Sequence, residues 1–225
     1  MDESPGSYAL TPQALKFFET FGFVRVPGLL AADIEEITDA FEEVFAQHPA
    51  TEMLETVHFS KPRQAIPYFL ELHPRLKELE TDPRILDVVV SLMGPDFDYR
   101  QADGNILSCD TSWHCDIYDS PLDQFHIKLF FYLDRLDGQT GGLRVIPGSN
   151  HHDSPFATGL RVDLDPWTEI EARFGVPPEQ IPSFAIDNEP GDLIVGNYRT
   201  LHATFGGDQR RRLFTMNYRQ AQPAA

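Results

Sequence analysis

Two cysteines in 225 residues, Cys109 and Cys115, are too few for a disulfide framework, and reduced thiols are the default state for both. No apolar run is long enough to span a bilayer, which excludes helical membrane spans. Positive charge is scarce: 18 Lys and Arg against 35 Asp and Glu leave a formal net charge of -17. Such a surface repels nucleic acid and anionic membranes, so neither is expected as a partner. The opening Met1-Asp2-Glu3-Ser4-Pro5 has neither the basic nor the apolar region of a secretory leader, and a cytoplasmic location is expected. Repeats, low-complexity tracts and Pro/Gly/Ser-rich linkers are also missing. The chain therefore reads as one domain over 1–225, with helices over 11–94 packed on a core over 95–220.

What is there begins with helices. Thr11-Pro12 reads as N-cap and first helical position, Leu15, Phe18 and Phe21 form an apolar stripe, and Gly22 ends the helix. Phe23 to Val26 reads as a short strand. A second helix starts near Ala32, with Ile34, Ile37, Phe41 and Val44 at helical spacing and glutamates on the solvated face. Thr51 to Glu71 shows no sustained period and contains Pro62 and Pro67, so an extended segment is expected there. His58, Lys61, Arg63 and Tyr68 lie on it and could face a pocket, although surface solvation explains any one of them. A third helix is bounded by Asp82-Pro83 and Gly94-Pro95.

Beyond Pro95 the pattern turns strand-like. Phe97 to Gln101, Asn105 to Cys109, Trp113 to Tyr118, Gln124 to Leu133, Leu143 to Ile146, Leu193 to Asn197, Leu201 to Phe205 and Leu213 to Tyr218 are separated by turn residues. Helices followed by about eight strands predict a mainly β jelly roll with flanking helices. His151 to Pro190 is long and proline-rich, as lids and binding loops are, with a helical turn or two expected around Thr168 to Phe174.

Within this frame Trp113-His114-Cys115-Asp116 carries a His-x-Asp pair. Strand alternation sends His114 and Asp116 to one face and Cys115 to the other. A bare pair of this kind is common as a surface ion pair. Its company distinguishes it: His202, on a later strand, completes two imidazoles and one carboxylate if the two strands face one another in the jelly roll. Three ligands on one face leave positions open for a chelating oxo-acid and dioxygen, as a non-haem Fe(II) centre requires. A zinc hydrolase would more often use further imidazoles. A buried carboxylate of such an oxo-acid needs a guanidinium, so one of Arg210, Arg211 and Arg212 is expected to point inward.

Together these segments resemble the phytanoyl-CoA dioxygenase family of Fe(II)- and 2-oxoglutarate-dependent oxygenases. The likeness runs through Phe18-Glu19-Thr20-Phe21-Gly22-Phe23-Val24, Gly28-Leu29-Leu30, Trp113-His114-Cys115-Asp116, Leu129 to Asp134, Gly141 to Ser149, Gly191-Asp192-Leu193 and Leu201-His202. The resemblance implies a double-stranded β-helix of the cupin-like kind, iron on His114, Asp116 and His202, and 2-oxoglutarate and dioxygen as co-substrates. It places the 2-oxoglutarate arginine at Arg211, with Arg212 as the other choice because the hairpin Phe205 to Gln209 is short, and a supporting hydroxyl at Thr204. Asn105 is a further cofactor candidate. Phe130 stands where the family often has Trp; Lys128 and Tyr132 share its strand face, and these three are candidates for substrate contact. The family commonly has His directly after Ser, whereas Asn150 follows Ser149 here.

The resemblance implies oxidation of a substrate C-H bond coupled to conversion of 2-oxoglutarate to succinate and carbon dioxide. With Asp116 present hydroxylation is the default, although desaturation, ring formation and demethylation use the same ligands. Tyr118, Arg144, His151, Phe156, Arg161 and Trp167 are further pocket candidates from inward strand faces or the long loop. The short chain leaves little room for a CoA thioester, so a free small metabolite is expected. The competing reading is a non-catalytic metal-binding protein of the same fold with a regulatory role. Oligomeric state does not follow from the sequence.

Overall fold

The computed structural model describes residues 7–48, 51–53, 63–116, 124–207 and 209–221. Its helices are α1 (Pro12–Phe21), α2 (Ile34–Gln47), α3 (Pro74–Lys77), α4 (Pro83–Met93), α5 (Pro155–Asp163) and α6 (Ile170–Phe174). Its strands are β1 (Phe23–Val26), β2 (Thr51–Met53), β3 (Arg63–Pro67), β4 (Phe97–Leu107), β5 (Thr111–His114), β6 (His126–Tyr132), β7 (Leu143–Val145), β8 (Phe184–Ala185), β9 (Leu193–Asn197), β10 (His202–Thr204) and β11 (Arg211–Gln220).

Local chemistry sets the helix ends. The Thr11 hydroxyl accepts from Ala14 N at 3.2 Å, Pro12 occupies the first turn, and Gly22 closes α1 in the left-handed conformation. A side chain at Gly22 would also run into Thr200 and Asn150, so Gly is required there twice over. In α4, Asp82 caps Arg84 N at 2.9 Å, and Ile85, Val88 and Val89 are fully buried. Each such side chain contributes about 1.5–3 kcal/mol when removed from water.

The strands form two antiparallel sheets, one of seven in the order β1-β9-β6-β11-β4-β3-β2 and one of four in the order β5-β10-β7-β8. This is the double-stranded β-helix, with the sheets facing one another. Alternation divides the large sheet cleanly. Ala102, Ile127, Leu129, Phe131, Val195, Phe214 and Met216 point outward and bury the apolar stripes of α1, α2 and α4. Residues of the opposite parity point between the sheets. The outer face of the small sheet is covered by α5 and α6, where Trp113, Ala203 and Phe205 pack with Leu164 and Ile170.

The structure departs from the sequence reading at several points. The strand read at Phe23 to Val26 is β1, but the region before residue 95 does more than pack helices on the core: β1, β2 and β3 join the large sheet. Phe97 to Leu107 is one strand rather than two, because Gly104 marks no turn; its missing side chain lets the Phe69 ring lie against the backbone. The long segment after His151 contains α5, whose start is capped by Ser154 on Ala157 N with Pro155 in the first turn, a signal the sequence does carry. The strand expected to reach Tyr118 ends at His114; Asp116 lies just beyond it, held by its N-H to Tyr198 O at 2.8 Å, and Tyr118 falls outside the described residues.

Candidate active site

Between the sheets lies a cavity of about 610 Å³. The small sheet supplies two histidines of a group that could hold a metal ion. His202 on β10 pairs in register with His114 on β5, which sets the two imidazoles side by side with centroids 4.3 Å apart. Asp116 completes the group: one ligand atom from each of the three residues lies within 4.8 Å of the others. Asp116 Oδ2 is 3.6 Å from His202 Nε2.

Both rings are held in the same way. His114 Nδ1 meets Ser112 O at 2.7 Å and His202 Nδ1 meets Thr200 O at 2.9 Å. A carbonyl only accepts, so each Nδ1 carries a proton and Nε2 is the ring atom left to face a ligand. Asp116 is buried, with its Oδ1 accepting from Lys128 Nζ at 2.6 Å. Burial opposes ionisation, but the Lys128 ammonium and then the two imidazoles outweigh it and hold the carboxyl well below the usual carboxylate range. Two imidazoles and one carboxylate converging in this way fit a divalent cation of the Fe(II) type.

At the sealed end of the cavity stands Arg211, 1% exposed, and no carboxylate pairs with it among the described residues. Its Nη1 donates to Gly141 O at 2.7 Å and its Nη2 to Cys109 O, while Nε has no partner. Glycines make room for it. A Cβ on Gly141, where φ is +89°, would lie 2.6 Å from Arg211 Nη1, and one on Gly207 would strike Nη2. Thr204, on the face of β10 shared with His202, has a buried hydroxyl without a partner. A buried guanidinium without a counter-charge beside an unpaired hydroxyl fits a carboxylate entering from the cavity.

Arg210 and Arg212 point elsewhere. Arg210 pairs with Glu42, and Arg212 with Asp134 and Glu42. Tyr132 lines the same cavity and is buried; burial pushes its phenol up to about 12 against the opposing Arg211 charge. Asn105 also lines it, accepting from Arg63 Nη1 at 2.8 Å. Phe130 lies edge-on to the His202 ring at 5.9 Å. Lys128 faces the cavity, and its ammonium also pairs with Asp116.

The other pocket candidates separate. Arg63 lines the cavity. Arg144 reaches away to Gly138 O, His151 meets Thr20 O, and Arg161 holds the carbonyls of Ser149 and Arg199. Phe156 and Tyr68 are exposed, and Trp167 packs on the outer cluster over the small sheet. His58 and Lys61 lie outside the described residues. Residues not singled out from the sequence also face inward, among them Gln101, Asp103, Thr215 and Asn217. Counting in steps of two from Asn105 along β4 and from Arg211 along β11 reaches all four.

None of the curated proteins matches the chain in sequence. Solved structures match its fold. The non-heme alpha ketoglutarate dependent carbocyclase SnoK from nogalamycin biosynthesis is 20% identical with a TM-score of 0.74, covering 94% of this chain and 85% of its own. HygX from Streptomyces hygroscopicus, solved with nickel and 2-oxoglutarate bound, is 17% identical with a TM-score of 0.73, covering 93% and 87%. The epimerase SnoN, in complex with Fe3+, alpha ketoglutarate and nogalamycin RO, is 18% identical with a TM-score of 0.71, covering 93% and 83%. The family model of phytanoyl-CoA dioxygenase (PhyH) matches residues 18–213, and the chain belongs to that family of Fe(II)- and 2-oxoglutarate-dependent oxygenases.

Proposed function

We propose that His114, Asp116 and His202 hold Fe(II), that Arg211 and Thr204 hold the far carboxylate of 2-oxoglutarate, and that the single domain hydroxylates a C-H bond of a small cytoplasmic metabolite. The observation that carries this reading is the buried Arg211 guanidinium, unpaired with any carboxylate among the described residues, in one cavity with the triad. Leaving such a charge without an anion is costly, so the site is built for one. Bound there, iron, 2-oxoglutarate and dioxygen supply an oxidation in which one oxygen atom enters the substrate C-H as hydroxyl and the other enters succinate, with loss of carbon dioxide.

The chain's own contribution is orientation and exclusion. The carbonyls of Ser112 and Thr200 accept from Nδ1 of each histidine and aim its Nε2. Lys128 holds Asp116 Oδ1, which fixes the carboxylate that would help hold the metal, with Oδ2 toward His202. Leu107, Leu143 and Leu213 wall the sealed end and keep water from the Arg211 carboxylate site. The similar structures support a small-molecule substrate: SnoN is bound to nogalamycin RO and HygX, in a further structure, to hygromycin B.

The test is anaerobic addition of Fe(II) and 2-oxoglutarate, followed by oxygen. Wild type gives a charge-transfer absorption band and then succinate. Asp116→Ala loses both, and Arg211→Gln raises the 2-oxoglutarate concentration required by at least about tenfold, as loss of a charge-assisted pair does. A band unchanged in Asp116→Ala would sink the metal assignment.

A further inference from the structure

The open end of the cavity has a chemistry of its own. On β4 the register with β11 runs Gln101 to Asn217 and then Tyr99 to Tyr218, so Arg100 is an extra residue, a β-bulge. Without it, alternation would turn Arg100 away from Gln101. With it, both line the cavity. Arg100 is exposed at the rim and forms no ion pair among the described residues. The field there is positive: burial first, and then Arg219, Arg100 and Arg199, hold the His126 imidazole below its usual value. Arg219 is itself paired with Asp98, which leaves Arg100 as the rim cation presented to a ligand. In a chain of net charge -17 this local reversal selects anions.

Further in, Asp103 sits on the same strand. Its carboxylate receives only Gln101 Nε2, at the long distances of 3.3 and 3.4 Å. The cations nearest to it in effect are occupied, Lys128 by Asp116 and Arg63 by Asn105. Burial raises the Asp103 carboxyl above its ordinary value, the mark of a desolvated group short of donors. An apolar acyl chain laid against it would deepen that cost, whereas an ammonium or hydroxyl would remove it. Three residue steps along the strand take Arg100 to Asp103, about 10 Å at the usual rise.

We propose that the substrate is a small acid that also carries an ammonium or hydroxyl several bonds from the acid group, with the acid on Arg100 at the rim and the donor on Asp103 inside. This rests on the oxygenase reading and names the substrate class for it. Asp103 lines the same cavity as Asp116, His114 and His202, so a donor held there brings the substrate into the space that the three face.

The test uses the full chain with Fe(II) and 2-oxoglutarate and a matched set of probes: 5-aminovalerate, 5-hydroxyvalerate, valerate, 1-aminopentane and butyryl-CoA. Binding is read anaerobically by calorimetry and turnover as succinate formed on adding oxygen. One or both of the two bifunctional acids should bind about tenfold or more tighter than valerate or 1-aminopentane, the effect of a charged hydrogen bond. Asp103→Asn should bring 5-aminovalerate to the level of valerate. Arg100→Gln should bring it to the level of 1-aminopentane. These opposite changes separate recognition from misfolding, which would lower every probe alike. Tightest binding by 1-aminopentane or butyryl-CoA, no binding by any probe, or preferences unchanged in the variants would each overturn the proposal. Absence of the wild-type charge-transfer band would instead overturn the cofactor reading beneath it.

Discussion

Lys128 shows how a residue placed in the expected cavity can have a partner there that the sequence does not reveal. Counting along β6 puts it inward beside Phe130 and Tyr132, as a candidate for substrate. Its ammonium is 2.6 Å from Asp116 Oδ1, where it offsets a buried carboxylate. Lys128→Met should therefore destabilise the metal-free protein by about 2–4 kcal/mol, because it strands that charge. A divalent cation replaces the missing counter-charge, so thermal melting should show a larger gain on adding Mn(II) in the variant than in wild type. An equal gain in both would mean that the Lys128 charge is not what stabilises Asp116. The three arginines are the complementary case. That one of them turns inward follows from strand alternation and charge; that it is Arg211 is settled by Glu42 and Asp134, which hold its neighbours outside.

Among the elements, the junction of β1 with β9 rests on Asp192 of the Gly191-Asp192-Leu193 motif. The carboxylate receives Arg25 Nε and Nη2 at 2.9 and 2.6 Å, Gly28 N at 2.7 Å and Glu189 N at 2.8 Å. It thus fastens the turn after β1 to the turn before β9, and β9 carries the chain toward His202. Asp192→Ala leaves two backbone donors and a guanidinium without their acceptor. A loss of about 2–4 kcal/mol in urea unfolding is expected, tempered by the partial exposure of Arg25. The same motif was visible in the sequence only as a family signature; its physical role needed β1 and β9, 167 residues apart at the Arg25 to Asp192 contact, to be seen as neighbours. By contrast α1 and α4 were legible end to end, because Thr11-Pro12, Gly22, Asp82-Pro83 and Gly94 act through local backbone chemistry.

Taken whole, the molecule holds its buried phenols neutral. Burial raises Tyr132 to about 12 and raises Tyr99 and Tyr218 further. In the unfolded chain these groups ionise near about 10. Below that pH both states keep their protons and the stability is fully present. Above it the unfolded chain loses protons that the folded one retains, so stability falls as pH rises through the window from about 10 to about 12 and beyond. Urea midpoints measured across that window should fall steadily, and less steeply for Tyr132→Phe. No helix among the described residues is long and apolar enough to cross a membrane.

The sequence by itself determined the capped helices and the change to strand periodicity after Pro95, and it singled out His114, Asp116 and His202 as candidates, because caps, periodicity and a family signature are local properties. Only the tertiary structure decided how those groups are used. It paired His202 with His114 across two strands, buried Arg211 in a glycine-lined cradle, committed Lys128 to Asp116, and turned Arg100 into the cavity through a bulge. Each of these depends on register between segments far apart in the chain, and a shift of one residue in register sends every side chain of a strand to its opposite face.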